Sequence, residues 1–252
     1  MSVFAVVGGT GTLGRHVADA LREQAAEVRV LARRSGEYRV DLVDGSGLDA
    51  ALAGVDVVID TSNGSPRRPE PVLVDGARRL VQAAARAGVS HVLCVSIVGI
   101  EQVPTGYYRA KLAQEEIVRE GPVPWSIVRS TQFHELVAAG LQWLGRWRIS
   151  PRSNAALQPI AAAEAGRAVA EAAGRPPSPA SVTIAGPEVQ TLSMLARVWA
   201  ERQDRRLLAL GLPLPPRIGA PLQAGALSYP DPEFRGETTF ASWLSGRSPI
   251  AG

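Results

Sequence analysis

Five apolar residues, Val3–Val7, lead directly into Gly8-Gly9-Thr10-Gly11-Thr12-Leu13-Gly14 and then into a helical pattern that runs to Gln24. No other feature restricts the fold as much. The run satisfies both Gly9-x-Gly11-x-x-Gly14 and Gly8-x-x-Gly11-x-x-Gly14. Glycines at these points permit a tight turn, a close approach of backbone to an anion, and close packing of helix on strand. The first N–H groups of the helix and its positive dipole end then face the opening, which suits a pyrophosphate. The strand before and the helix after strengthen the motif. An ordinary strand-to-helix turn is the plainer alternative.

The rest of the first half repeats this alternation. Apolar runs predict strands at Val28–Leu31, Val57–Ile59, His91–Ser96 and Ser126–Val128. Helical patterns occupy Leu13–Gln24, Leu48–Leu52, Pro71–Ala87, Tyr107–Arg119 and Thr131–Leu144. Near-continuous apolar strands separated by helices indicate an α/β protein, a doubly wound and mostly parallel sheet covered on both faces. Between Arg34 and Tyr38 there are too few residues for the dozen or so of a parallel crossover, so the second helix is expected to be missing or reduced to a loop. From about Gln158 the texture changes to alanine-rich helices, one short strand at Val182–Ala185 and proline clusters. The expected division is therefore 1–157, a dinucleotide-binding Rossmann-type domain, and 158–252, a mixed region that completes the sheet and forms a small C-terminal substrate-binding cap.

At 252 residues, 46% hydrophobic and 20% charged, the chain has ample material for one large core, and disorder is excluded. One cysteine, Cys94, excludes a disulfide scaffold and is most simply a small core residue. No stretch approaches the length of a membrane span, and no basic residue precedes the first apolar run, so a cytoplasmic protein without a membrane partner is expected. The net charge of +3 invites a nucleic-acid reading, but the basic residues are scattered among acidic ones with no block of like charge, and no nucleic acid is expected. His16 and His91 fit no ligand spacing, and no metal is expected. Of the 27 Lys and Arg residues, one is Lys: Lys111.

An acidic residue usually ends the second strand of an NAD site, where it holds the ribose hydroxyls. Here the strand ends Leu31-Ala32-Arg33-Arg34. Two guanidinium groups suit the 2′-phosphate of NADP(H), the alternative being two solvated surface arginines. Asp41, after the next strand, either reaches the adenine or caps the strand end, and Thr61-Ser62-Asn63 borders the cofactor where the fourth strand ends.

The sole lysine stands four residues after Tyr107, on the same helix face, and Ser96 ends the preceding strand. Carbonyl reduction by hydride transfer needs a proton donor at the carbonyl oxygen. A phenol of pKa about 10 becomes useful near neutral pH when a cation lies close by. An ammonium would do this where the wide fork of arginine would not, and a serine hydroxyl can hold the carbonyl. A surface lysine beside a half-buried tyrosine is the alternative. His134 either lines a substrate pocket or is a helix-start histidine with a local hydrogen bond. Trp143 and Trp147, four apart, either wall an aromatic pocket or belong to core or interface.

The Gly8–Gly14 loop, Ser96-Ile97-Val98-Gly99, Tyr107-x-x-x-Lys111 and Ile127-Val128-Arg129-Ser130-Thr131-Gln132-Phe133 together resemble the atypical short-chain dehydrogenase/reductase family in its NmrA-like, NAD(P)H-binding branch. The likeness continues through Ala185-Gly186-Pro187-Glu188 and Phe240-Ala241-Ser242-Trp243-Leu244. Ser130 departs from it, standing where proline is frequent. The resemblance implies a Rossmann-type domain, Tyr107 as general acid, Lys111 on the nicotinamide ribose, Ser96 at the carbonyl, and Thr131, Gln132 and Phe133 on the nicotinamide side. His134 and Trp143 are the candidate substrate-binding residues. The expected function is an NADP(H)-dependent oxidoreductase that moves hydride between nicotinamide and a carbonyl, alcohol or quinone-like carbon of a small apolar substrate, as monomer or homodimer. A non-catalytic NADP(H)-binding regulator that senses redox state and binds a protein partner is the alternative. A sugar-nucleotide epimerase would favour an acidic residue at Arg33.

Overall fold

The computed structural model describes residues 2–34, 37–211 and 213–246. The apolar runs form strands β1 (Val3–Val7), β2 (Glu27–Ala32), β3 (Tyr38–Arg39), β4 (Val57–Asp60), β5 (His91–Ile97) and β6 (Trp125–Ser130). Between them lie helices α1 (Gly14–Glu23), α2 (Leu48–Leu52), α3 (Glu70–Leu73), α4 (Asp75–Ala87) and α5 (Gly106–Arg119). The later half adds α6 (His134–Gly145), β7 (Ile149–Arg152), β8 (Ala156–Leu157), α7 (Ala162–Ala173), β9 (Val182–Ala185) and β10 (Gln190–Thr191). It ends with α8 (Leu192–Arg202), β11 (Leu208–Gly211), α9 (Pro216–Gln223), β12 (Phe234–Arg235) and α10 (Phe240–Ser245).

Eight strands make one sheet in the order β12-β9-β6-β5-β4-β1-β2-β3. Each pair from β3 across to β6 is parallel, as is β9 with β12. This is a doubly wound Rossmann-like sheet. From β1 the chain first proceeds outward through β2 and β3, then returns to place β4 on the other side of β1. The carboxyl ends of β1 and β4 therefore form the switch point at which open sheets of this kind bind ligands. The second helix, expected to be missing or reduced to a loop, is absent among the described residues: β3 pairs directly beside β2, with Tyr38 opposite Leu31 and Arg39 opposite Ala32.

Two expected helices differ. The single pattern over Pro71–Ala87 divides into α3 and α4, joined at Val74. Gly76 lies so close to Leu42 that a Cβ would sit 2.9 Å from the Leu42 Cβ, which fixes where α4 begins. The helix expected from Thr131 starts at His134, because Phe133 is extended and bridges to Ile160, whose amide donates to Gln132 O.

The chain clusters into two compact units, each discontinuous in sequence. The first, 1–97 with 105–130 and 163–183, holds the switch point and a core in which Leu31, Leu52, Leu80, Cys94 and Ile127 are buried. The second, 98–104 with 131–162 and 184–252, packs α6, α8 and α10 around Val137, Leu141, Leu195, Trp199, Phe240 and Leu244.

Candidate cofactor and proton-transfer site

In the first unit the glycine loop leaves β1 under tight steric control. Gly8 has φ +72°, and a Cβ there would lie 3.1 Å from Thr61 O. A Cβ on Gly9 would meet Val30 Cγ1 and Val6 O at 2.9 Å. One on Gly14 would lie 2.4 Å from Gly8 O and 2.6 Å from Thr61 Oγ1. Gly9, Leu13 and Gly14 are buried, whereas Thr10, Gly11 and Thr12 are exposed in front of the α1 N-terminus. The cradle thus has a closed floor and an open mouth at a helix start, and its residues fit a dinucleotide pyrophosphate. Gly14→Ala is expected to destabilise the chain by about 1–3 kcal/mol through overpacking and to weaken NADPH binding. A thermal melt and a fluorescence titration with NADPH check it.

Arg33 and Arg34 are exposed just past β2. Asp41 is partly buried, and its Oδ1 accepts from Val43 N at 2.9 Å, which makes it a local turn cap. Thr61 is tied across the switch point, with its amide and its hydroxyl both donating to Val7 O at 3.0 and 2.7 Å. Ser62 N donates to Asp60 Oδ1 at 2.9 Å, and Asn63 Oδ1 accepts from the Tyr107 hydroxyl at 2.8 Å. The structure therefore brings Tyr107 to the 61–63 loop, against which Gly8 also packs.

Lys111 goes elsewhere. Its side chain is buried, and Nζ donates to Val95 O and to Gln114 Oε1, both at 2.7 Å. Gln114 Nε2 in turn donates to Asp60 Oδ2 at 2.8 Å. A closed chain of contacts results: Lys111, Gln114, Asp60, Ser62 and Asn63 lead back to Tyr107, one turn before Lys111 on α5. Burial pushes the Tyr107 phenol up to about 12, the adjacent Tyr108 adds to this, and no cation opposes them. The i to i+4 spacing suggests cationic assistance to the phenol, but in this geometry the ammonium is spent on Val95 and Gln114.

Ser96 is buried near the end of β5, and its hydroxyl has no hydrogen-bond partner among the described residues. Burial works against ionisation of Glu115, yet the hydrogen-bonded guanidinium groups of Arg129 and Arg119 outweigh it and hold the carboxyl below its usual range. Arg129 contributes Nε at 3.0 Å and Nη2 at 2.7 Å. A carboxyl with a lowered folded pKa stabilises the fold above its unfolded value of 4.5, and that contribution disappears as the pH falls through the folded value. Arg129→Met is expected to cost about 1.5–3 kcal/mol at neutral pH and to flatten the acid limb of a melting-temperature profile.

In the second unit the other candidates serve its own framework. Thr131 Oγ1 donates to Gln158 O at 2.6 Å. Gln132 uses both ends of its carboxamide, on Leu227 O at 2.9 Å and on Gln158 N at 3.2 Å, and Phe133 bridges to Ile160. His134 is fully buried; its Nε2 bonds Thr238 O at 2.9 Å and its ring contacts Phe240 and Trp243, each with centroids 5.5 Å apart. Trp143 stands on the opposite, outward face of α6, so the two candidate substrate residues are not brought together. Asp60 and Gln114 were not among the residues singled out by motif, although each carries a signal. Asp60 ends an otherwise apolar strand, and Gln114 lies three residues after the sole lysine.

With this geometry in place, a comparison with known proteins is decisive at residues 8–142, which match the NAD(P)H-binding family. The chain belongs to that family. The matched residues hold the glycine cradle, the 61–63 loop, Tyr107 and Lys111. Among curated relatives, the (4-alkanoyl-5-oxo-2,5-dihydrofuran-3-yl)methyl phosphate reductase of Streptomyces griseus subsp. griseus is 36% identical over 140 residues, 51% of this chain and 47% of that protein. Ceramide reductase of Caulobacter vibrioides is 30% identical over 166 residues, 60% of this chain and 52% of that protein. The chain spans about half the length of the curated relatives it matches. The NADPH-dependent quinone oxidoreductase QOR2 of Escherichia coli, solved with NADPH, shares the fold with a TM-score of 0.77 at 17% identity, covering 96% of this chain and 99% of that one.

Proposed function

We propose that this NAD(P)H-binding protein is an NADP(H)-dependent oxidoreductase acting on a carbonyl or quinone-like carbon of a small apolar substrate. The observation that carries the reading is the Tyr107 hydroxyl held by Asn63 at the switch point, beside a glycine cradle that fits the dinucleotide. When bound, the nicotinamide supplies hydride. Tyr107 supplies the proton at the nascent alkoxide oxygen and remains protonated while waiting to do so. Asn63 aims the hydroxyl, and Asp60, through Ser62 N, shapes the loop that carries Asn63. Lys111 and Gln114 act as positioning residues through Asp60. The two curated relatives named as reductases support the reaction class, and Arg33 and Arg34 support NADP(H) over NAD(H).

The test is oxidation of NADPH and of NADH against quinones, ketones and aldehydes, by the wild type and by Arg33→Ala/Arg34→Ala. Turnover that prefers NADPH is expected. The double variant is expected to lose about 10-fold or more in kcat/KM for NADPH, the two charged contacts to a phosphate being worth at least about 1.5 kcal/mol, with NADH little changed. Preference for NADH would overturn the nucleotide assignment. NADPH binding without turnover on any of the panel would favour the non-catalytic regulator.

A further inference from the structure

Helix α6 turns its apolar residues in two directions. Val137, Ala138 and Leu141 face α8 and α10, as expected for an amphipathic helix. Leu136, Ala139, Gly140 and Trp143 recur at i, i+3, i+4 and i+7 and lie on the opposite face, in solvent, and Trp147 follows, exposed, in the turn after the helix. Leu136 is 65% exposed, Trp143 60% and Trp147 70%. Single exposed apolar residues need no explanation, but a leucine and a tryptophan on one helix face with a second exposed tryptophan in the turn that follows do.

At the C-terminal end of this face the charge becomes one-sided. Arg146, Arg148, Arg205 and Arg206, against the single Asp204, surround a hollow of about 300 Å³. All four arginines are exposed, and none makes an ion pair among the described residues. The apolar character continues next to them. Leu208, 65% exposed, donates its amide to Arg148 O at 2.8 Å, and Leu210 follows on the same side of β11. The patch therefore combines aromatic and aliphatic side chains with a dense, unneutralised positive charge.

That combination selects among occupants. A second copy docked through this face would bring two such arginine clusters together. Nucleic acid would pair with the arginines but leave Leu136 and Leu208 wet. An anionic lipid surface meets both requirements: headgroup phosphates for the guanidinium groups, and the acyl boundary for the indoles and leucines. We propose that the outward face of α6, with the arginines at its end and the β11 leucines, docks peripherally on anionic membrane surfaces. No helix among the described residues is long and apolar enough to cross a membrane, so the contact would lie in the interfacial plane.

The experiment is vesicle flotation of the whole chain, with tryptophan emission recorded in parallel, using neutral phosphatidylcholine vesicles and vesicles enriched in phosphatidylglycerol. Flotation with the anionic vesicles alone, release by high salt, and a blue shift of emission are expected. Trp143→Ser/Trp147→Ser and Arg146→Ser/Arg206→Ser should each weaken partitioning by about 10-fold or more at an unchanged melting temperature. Failure to float with anionic vesicles at low salt, or flotation unchanged in both double variants, would overturn the proposal. So would a dimer formed without vesicles and dissolved by Trp143→Ser/Trp147→Ser, or equally tight, tryptophan-independent retention on duplex DNA.

Discussion

Tyr107→Phe is expected to lower turnover by about 10²–10⁴-fold, the usual contribution of a positioned proton donor, while leaving NADPH binding nearly unchanged. The substitution removes one oxygen whose partner, Asn63 Oδ1, is exposed and can turn to water, so the melting temperature should move little. The pH dependence distinguishes this role from a structural one. Burial, followed by Tyr108, pushes the phenol from 10 up to about 12, so the proton-donating form persists through neutral and moderately alkaline solution. Carbonyl reduction by the wild type should therefore show no alkaline limb from Tyr107 below about pH 10. Alcohol oxidation needs the phenolate and should rise steadily with pH. The neutral phenol is also the form the fold prefers, so its stabilisation is present below pH 10 and lost as the pH climbs through 12. A Tyr107→Phe protein that turns over normally on a substrate used by the wild type would remove Tyr107 from the mechanism.

The parts of this molecule legible in its sequence are those decided locally. The run from Val3 to Val7 and the glycines after it specify a strand, a turn and a helix within two dozen residues, and the structure has them in those places. The missing second helix follows from counting residues between Arg34 and Tyr38, too few for a crossover helix. Small strands of the later half, such as β8 and β10, have two residues each and exist because Leu157 and Gln190 meet from 33 positions apart. No periodicity can mark them. His134 is similar: it opens a helix in the sequence, but its environment is set by Thr238, 104 residues away, and by the aromatic rings of α10. Lys111 is the most informative difference. Spacing places it on the face of Tyr107, but the direction of a four-carbon side chain depends on which acceptors β5 and α5 present to it. Those acceptors are Val95 O and Gln114.

That difference yields the second large expectation. Lys111→Met should cost about 3–5 kcal/mol, because it leaves the Gln114 and Val95 oxygens without a donor and the Asp60 carboxylate without its linked counter-charge, all of them buried. For a chain of this length that corresponds to a fall of roughly 6–20 °C in melting temperature. Lys111→Arg should fare little better, since a fork wider than an ammonium must enter a space closed by two contacts of 2.7 Å. The double variant Lys111→Met/Asp60→Asn tests the linkage. If the two charges are coupled through Gln114, their costs will not add, and removing the carboxylate charge should restore part of the stability lost with the lysine. A lysine directed at a nicotinamide ribose predicts the opposite pattern, with turnover lost, the melting temperature retained and no coupling to Asp60. The sole lysine of an arginine-rich chain would then be explained by the cofactor. In the geometry seen here it is explained by a cavity shaped for one ammonium, whose hydrogen bonds lead through Gln114 and Asp60 to the loop that aims Tyr107.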